Sequence, residues 1–309
     1  MNKRTFAGLV LPALFCTLLW GSAFPSVKTG YALFHIGEDA ASKLFFAGWR
    51  FMLAGIAVLA VSAIMNRKLL VPRKEQWKGI LLLGIVQTTM QYVFFYIGLS
   101  HTTGVKGSVI TAMTTFLAVG ISHFLFPDDR LNTRKTIGCL IGFAGVLMIT
   151  ISSADALGGG FAWNGEGFML LSTIAAGGGA VISKFVAKGQ SPMMVTGWQL
   201  TIGGAVLLLA GILGGGHFNT ITPQAITLLG YLIFLSAAAF TIWTALLKQY
   251  PVGRVTVYNF LVPVFGSLMS GVVLHETVFT VRNMLSLVLV CAGIILVNLT
   301  GQSKEKQDS

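Results

Sequence analysis

The chain has 309 residues, of which 54% are hydrophobic and only 10% are charged. Soluble domains carry about 25% charged residues, and a mean hydropathy of +0.79 leaves too few polar residues to cover a water-soluble fold of this length. The composition therefore excludes a soluble globular enzyme and predicts an all-α membrane protein that crosses the bilayer several times. The formal net charge of +11 does not indicate a nucleic-acid partner, because the basic residues lie in short clusters between apolar runs.

Ten apolar segments follow one another along the chain, each close to the roughly 20 residues that cross a bilayer core as a helix. The first is too long for a signal peptide and shows no cleavage pattern, so we expect it to be a retained spanning helix. The predicted transmembrane helices are at residues 7–31, 42–65, 77–99, 104–126, 134–152, 164–187, 193–214, 223–247, 252–274 and 281–300.

The distribution of basic residues predicts the orientation of these helices. With the N-terminus in the cytoplasm, all but five of the 21 Lys and Arg lie on the cytoplasmic side, and the exceptions are Lys28, Lys43, Arg50, Lys106 and Arg282. The connection 152–165, on the opposite side, contains no Lys or Arg. The positive-inside rule therefore predicts that both termini are cytoplasmic.

Two sequence patterns occur twice in the chain at nearly the same offset. The first is Gly-Trp with a second glycine seven positions on, at Gly48 and again at Gly197, 149 residues later. The second lies about 90 residues further along, where four features recur 148 residues later: Asp128, Arg134, Gly138 and Ala144-Gly145 are matched by Glu276, Arg282, Ser286 and Ala292-Gly293. Two matches at nearly one offset indicate a duplicated half-chain.

The duplication predicts how the chain is divided. We expect a first five-helix repeat at 6–152, a second at 163–300 and a short cytoplasmic tail at 301–309, with a glycine-rich seam at 158–160. Because five is an odd number, the second copy enters the membrane from the opposite side, and the ten transmembrane helices form two inverted five-helix repeats. This architecture is typical of secondary transporters, whose substrate site lies near the bilayer midplane between the halves.

The first segment contains a proline in the middle of its apolar run. Pro25 has no N–H, so the carbonyl of Gly21 loses its helical partner and we expect a kink there. The freed carbonyl beside Ser22 is a candidate substrate contact, and a purely structural kink is the alternative. Trp20 comes just before the kink and is a further candidate for substrate binding, while Gly21 and Pro25 are assigned a structural or gating role.

Three stretches resemble the EamA-like family of the drug/metabolite transporter superfamily: Trp20-Gly21-Ser22-Ala23-Phe24 with Lys28, Gly48-Trp49-Arg50-Phe51, and Glu276 leading through Arg282 to Ala292-Gly293. The resemblance covers the whole chain and both repeats. It implies ten spans in two inverted sets of five, a place in the cell membrane and the transport of small metabolites, frequently the export of amino acids or related compounds. Ser286 departs from the family pattern, which has glycine there, and this puts the local helix packing in question.

Arg50 lies about nine residues into its predicted helix, roughly 13 Å deep at 1.5 Å per residue. An arginine at such depth costs on the order of 2.5–3.5 kcal/mol even on the lenient insertion scale. It is therefore either a binding group for a substrate carboxylate, a structural clamp on helix-end carbonyls, or a side chain that snorkels to the headgroups. The second repeat has neutral Gln199 at this position, and the resemblance also implies an architectural role, so we favour the structural clamp.

Polar side chains recur at helical spacing in the third segment. Gln87 and Gln91 are four residues apart and share a face that Phe94 and Phe95 continue. Glutamine facing lipid is unfavourable, so this face points inward. There the two amides either line a substrate cavity or bond a neighbouring helix.

In the fourth segment Ser108, Thr111, Thr114 and Thr115 repeat by three and four residues. Hydrogen bonds to the same or a neighbouring helix are the favoured interpretation, because threonine can bond its own preceding turn. Thr115 is kept as a candidate substrate contact.

The eighth and ninth segments carry the remaining candidates, Trp243, Tyr258 and Asn259. Rings beside amide groups suit an amphipathic ligand, since rings cover its apolar part and amides fix its polar groups. Ordinary packing between helices is the alternative for each of them.

No Asp or Glu falls deep within a predicted span, so an intramembrane carboxylate relay for protons is not expected. The chain also lacks HExxH, GxSxG and Walker motifs, and we expect no catalytic residue, cofactor or metal. The predicted function is export of a small amphipathic metabolite, with amino acids first. Uptake of sugars, nucleotide-sugars or vitamins is one alternative, and a membrane-embedded enzyme acting on lipid is a weaker one. The expected partners are a small-molecule substrate and the lipid bilayer, without nucleic acid, for a monomer or homodimer.

Overall fold

A computed structural model describes residues 6–37, 39–65, 71–101, 110–150, 162–274 and 281–299. Within these ranges the chain forms helices and no strand. A wide helical turn at Phe6–Val10 leads into the first helix. In chain order the helices are α1 Leu11–Leu33, α2 Ala40–Met65, α3 Lys74–Ser100, α4 Thr114–Leu125, α5 Thr133–Thr150, α6 Trp163–Ala187, α7 Pro192–Leu213, α8 Pro223–Gln249 and α10 Val281–Leu299. Helix α9 lies between α8 and α10 and has three parts. Helix α9 begins at Val252–Thr256, tightens into a 3₁₀ turn at Val257–Phe260 and continues as Leu261–Leu274.

Six of these helices, α1, α2, α3, α6, α7 and α8, are long and apolar enough to cross a membrane, and shorter apolar helical stretches lie at Ile110–Leu125, Val252–Gly266 and Met284–Asn298. The all-α membrane class predicted from composition is therefore confirmed. The full count of ten spans stays a prediction. Residues 104–109 of the predicted fourth span lie outside the described residues.

Local chemistry explains where several helices begin. The Asp39 carboxylate accepts hydrogen bonds from the backbone N–H groups of Ala41, at 3.1 Å, and Ser42, at 2.7 Å, and so caps the start of α2. Proline occupies the first position of α7 and α8, where its missing N–H has no helical partner to lose. The Thr222 hydroxyl completes the start of α8 by accepting from Ala225 N at 3.2 Å.

The Gly-Trp pattern found twice in the sequence marks the contact between α2 and α7. A Cβ placed on Gly48 would lie 2.4 Å from the backbone N of Leu208, and one on Gly204 would lie 2.2 Å from that of Met52. A Cβ at either position would collide with backbone atoms, which cannot move aside as a flexible side chain can. The two helices therefore touch through the glycines. Small residues that let helix backbones approach closely are a recurrent device of membrane helix packing.

The second repeated pattern marks the contact between α5 and α10. A Cβ on Gly293 would lie 2.6 Å from the carbonyl oxygen of Gly138. Ser286, which departs from the family glycine, is fully buried in this contact and donates its hydroxyl to the carbonyl oxygen of Gly145 at 2.5 Å. The hydroxyl is thus accommodated by a hydrogen bond across the interface. Each repeated pattern therefore packs against its own copy.

The first helix of each half packs against helices of the other half. Helix α1 packs against α8 and α9, and α6 packs against α3 and α4. Gly21 lies at the tightest point of the first exchange, since a Cβ there would come within 2.7 Å of the Phe265 Cβ. Pro25 lies inside α1, which runs unbroken from Leu11 to Leu33.

A buried ion pair joins the connection between α4 and α5 to the start of α9. Lys135 Nζ lies 2.6 Å from Asp129 Oδ1, and the two side chains are 7% and 0% exposed. The other oxygen, Asp129 Oδ2, accepts the backbone N–H of Gly253 at 2.9 Å. Lys135 also donates to the carbonyl oxygen of Arg130 at 3.2 Å. One carboxylate therefore holds two connected helices of the first half against the second half.

Candidate functional site

A cavity of about 120 Å³ lies between the two halves of the chain. Helices α1, α2 and α3 and the start of α4 contribute from the first half, and α6, α8 and α9 contribute from the second. The exchange of α1 and α6 between the halves is what brings these helices around a common space. The lining residues are Trp20, Ala23, Phe24, Val27, Arg50, Gln87, Gln91, Tyr92, Phe95, Thr111, Thr114, Ser172, Thr173, Ala176, Ala180, Phe240, Trp243, Asn259 and Val262.

Aromatic rings form much of the wall. The rings of Trp20 and Trp243 meet edge to face with centroids 4.8 Å apart, and Trp20 meets Phe240 in the same manner at 5.7 Å. On the α3 side Tyr92 packs on Phe51 with centroids 4.1 Å apart. Such pairs hold each other in place, so the rings present a fixed apolar surface to a ligand.

Amide groups supply polar positions in the same wall. Gln87, Gln91 and Asn259 line the cavity. Gln87 Oε1 accepts a hydrogen bond from Gln199 Nε2 at 3.2 Å, so its orientation is fixed by the second half. Gln199 occupies the position in the second repeat that Arg50 occupies in the first, and both side chains reach the region of the cavity.

Arg50 is buried at the cavity wall, with 2% of its surface exposed. Its Nε donates to Ser236 Oγ at 2.8 Å and its Nη1 donates to Tyr96 Oη at 3.2 Å. Its hydrogen bonds therefore run to side-chain hydroxyls of α8 and α3, rather than to helix-end carbonyls. Its burial also excludes a snorkelling side chain.

Three residues predicted to contact substrate do not line this cavity. Ser22 donates to the carbonyl oxygen of Leu19 at 2.7 Å and shares a hydrogen bond with Tyr231 Oη. Thr115 donates to the carbonyl oxygen of Thr256 at 2.9 Å, joining α4 to α9. Tyr258 is buried beside the cavity-lining Asn259. The other predicted contacts, Trp20, Gln87, Gln91, Trp243 and Asn259, all line it.

Sequence reasoning overlooked several lining residues. Ser172 and Thr173 form a polar pair within an apolar stretch of α6, and that pair was an available signal. Tyr92 follows Gln91 directly and had the same amphipathic character as the chosen candidates. Phe24 and Val262 are apolar residues in largely apolar helices, so hydropathy does not distinguish them from residues that pack against neighbouring helices.

These features define a polytopic membrane protein with an internal cavity built by both halves of its chain. The chain belongs to the EamA-like transporter family, whose sequence model matches residues 8–151 and 163–299. The family expected from the resemblance is thereby confirmed.

Several known proteins are similar to this chain. A WAT1-related chloroplastic protein of Arabidopsis thaliana is 28% identical over 288 residues, which is 90% of this chain but only 66% of that protein's length. The uncharacterized transporter YvbV of Bacillus subtilis (strain 168) is 27% identical, with 94% of this chain and 92% of the relative covered. A Salmonella typhimurium (strain LT2) protein, named a probable amino-acid metabolite efflux pump, is 28% identical, with 92% of each covered.

The fold also matches an experimental structure. A crystal structure with 19% sequence identity superposes with a TM-score of 0.79, covering 96% of this chain and 98% of the other. At this identity the likeness shows a shared fold alone.

Proposed function

We propose that this protein is a secondary transporter that exports small amphipathic metabolites from the cell, with amino acids first among the candidates. The observation that carries the proposal is the cavity between the two halves, with rings and amides in one wall. Rings cover the apolar part of an amphipathic molecule and amides orient its polar groups. The name of the Salmonella relative supports amino-acid metabolites as the first class to test.

The proposed transport cycle rests on ten spans in two inverted five-helix repeats, at residues 6–152 and 163–300, in the cell membrane with both termini cytoplasmic. Support comes from the packing of each repeated pattern against its own copy and from the exchange of α1 and α6. In such an architecture one half moves against the other and opens the central site to each side in turn.

Reporter fusions test the inverted arrangement. Fusions after Lys74 and Lys188 should report the cytoplasm, because Lys and Arg concentrate in those connections. Fusions near Gly159 and Asn219 should report the outside. The same side for the Gly159 and Lys188 fusions would overturn the five-plus-five assignment.

Purified protein in liposomes tests transport itself. With a panel of labelled amino acids, sugars and vitamins, we expect movement of at least one amino acid or related compound down its own gradient. An imposed pH gradient should drive little accumulation, because the described residues that line the cavity include no Asp or Glu to carry a proton. Movement of sugars or vitamins alone would instead favour the uptake alternative, and accumulation that collapses with an uncoupler would overturn weak proton coupling.

A further inference from the structure

Arg50 carries a charge that no described acidic residue neutralises. Among the described residues no carboxylate lies within ion-pair distance of its guanidinium, and its hydrogen bonds go to two neutral hydroxyls, those of Ser236 and Tyr96. Arg50 is the eleventh residue of α2, about 15 Å from the start of that helix at 1.5 Å per residue. A cation held at this depth without a counter-ion is expensive and marks a functional site by default.

The two hydroxyls hold the guanidinium in a fixed place. Ser236 donates its own proton to the carbonyl oxygen of Leu232 at 2.9 Å, so its lone pairs face Arg50 Nε. The Tyr96 ring is fully buried and packs edge to face against Tyr92, with centroids 6.1 Å apart. Arg50 is therefore oriented before any ligand arrives, which removes an ordering cost from binding.

Part of the guanidinium is left for a ligand. Arginine has five N–H groups, and only those on Nε and one on Nη1 have partners among the described residues. Arg50 is one of the residues that line the cavity, so its side chain borders the space that a ligand would occupy. Neighbouring free N–H groups match the two oxygens of a carboxylate, and this pairing is stronger than hydrogen bonds between neutral groups.

The rest of the cavity fits the same ligand. Arg50 is the one charged side chain among the described lining residues, so the site attracts anions and repels ligands that are only cationic. The rings of Tyr92 and Phe240 line the same cavity and supply an apolar surface for the body of the ligand.

Resting on the transporter function proposed above, we propose that Arg50 binds the carboxylate of the substrate, which is a small carboxylic acid with an apolar or aromatic body. Amino acids belong to this class, with the ammonium group beside the amide oxygens of Gln91 and Asn259. Amines, amides and neutral sugars of the same size lack a carboxylate and do not belong to this class.

A matched series of probes tests the carboxylate requirement in the unmodified protein. Thermal stability of the purified protein in detergent is measured with phenylalanine, 3-phenylpropionate and leucine, and with phenylalaninamide, phenethylamine and leucinamide. At least one carboxylate should raise the unfolding temperature while its amide or amine does not. The proposal falls if none of the carboxylates binds, or if the amides and amines bind as well as the acids.

Substitutions then test Arg50 itself. Arg50→Gln installs the residue of the second repeat and should weaken carboxylate binding roughly 10- to 100-fold, since a charged hydrogen-bond partner is lost. Arg50→Lys keeps the charge without the planar fork and should bind with intermediate affinity. Lys188→Gln removes the same charge from an exposed connection and should bind like the parent. Unaltered preference for acids over amides in folded Arg50→Gln overturns the proposal.

Failure of this inference is distinguishable from failure of the transporter function. Suppose that the parent moves only panel compounds without a carboxylate and that Arg50→Gln moves them equally well. The transporter proposal is then supported, and the proposal that Arg50 binds a substrate carboxylate is overturned. If carboxylates bind through Arg50 but no panel compound moves, the anchor stands and the transport proposal does not.

Discussion

Replacing Asp129 with alanine should destabilise the protein by about 3–5 kcal/mol, the typical cost of leaving one partner of a buried ion pair uncompensated. Asp129 is fully buried, pairs with Lys135 at 2.6 Å and accepts the backbone N–H of Gly253 at 2.9 Å. The substitution removes the carboxylate partner of the buried Lys135 ammonium group and the acceptor of the buried Gly253 N–H. The measurement is the free energy of unfolding in detergent, or the unfolding temperature where unfolding is irreversible.

A double-mutant cycle shows whether the ion pair is the cause. Asp129→Ala and Lys135→Ala together should cost clearly less than the sum of the two single changes, because each single change strands a charge that the double change removes. Glu75→Ala is the control, since this exposed residue in the first turn of α3 should contribute no more than about 1 kcal/mol. Additive effects of Asp129→Ala and Lys135→Ala would contradict the role given to the pair.

The sequence predicted the helices well because a bilayer imposes a length on each apolar run. The predicted segments at 42–65 and 223–247 correspond to α2 Ala40–Met65 and α8 Pro223–Gln249. The extra residues at the ends are polar or small and are included through caps such as Asp39, which hydropathy does not detect. The repeated glycine patterns were also visible, although their meeting across α2 and α7 required the structure.

The faces of the helices were harder to predict than their ends. In α9 the adjacent Tyr258 and Asn259 were both expected in the site, but only Asn259 lines the cavity. Adjacent residues point about 100° apart in an α-helix and about 120° apart in a 3₁₀ turn such as Val257–Phe260, so the two side chains leave the helix in different directions. Hydropathy carries no signal for such a local change of helix type.

A polar residue between two predicted spans proves to be structurally important. Asp129 lies between the predicted spans 104–126 and 134–152, and it is fully buried between Lys135 and the start of α9. Its partner Gly253 lies 124 positions away in the sequence. Contacts at this separation depend on the arrangement of the two halves, which no local pattern encodes.

Replacing Trp243 with alanine should lower the affinity for substrate, because its ring belongs to the aromatic wall of the cavity. Its ring meets Trp20 edge to face at 4.8 Å and lines the cavity. A ring that stacks on a ligand contributes about 0.5–1.5 kcal/mol beyond its buried area, so the apparent affinity should fall by roughly 2- to 12-fold at 1.4 kcal/mol per tenfold. The measurement is the concentration dependence of transport into liposomes for a compound that the parent moves.

Trp198→Ala is a closely matched control for this change. Trp198 meets Trp77 edge to face at 4.9 Å and 69°, nearly the geometry of the Trp20 and Trp243 pair at 4.8 Å and 67°. It packs in a separate apolar cluster around Ile80 and Met194 and does not line the cavity. Trp243 is 4% exposed whereas Trp198 is only half-buried, so Trp243→Ala should lose at least as much thermal stability as Trp198→Ala, and only Trp243→Ala should weaken apparent affinity. Equal affinities in the two folded variants would mean that the aromatic wall serves packing and that substrate binds elsewhere.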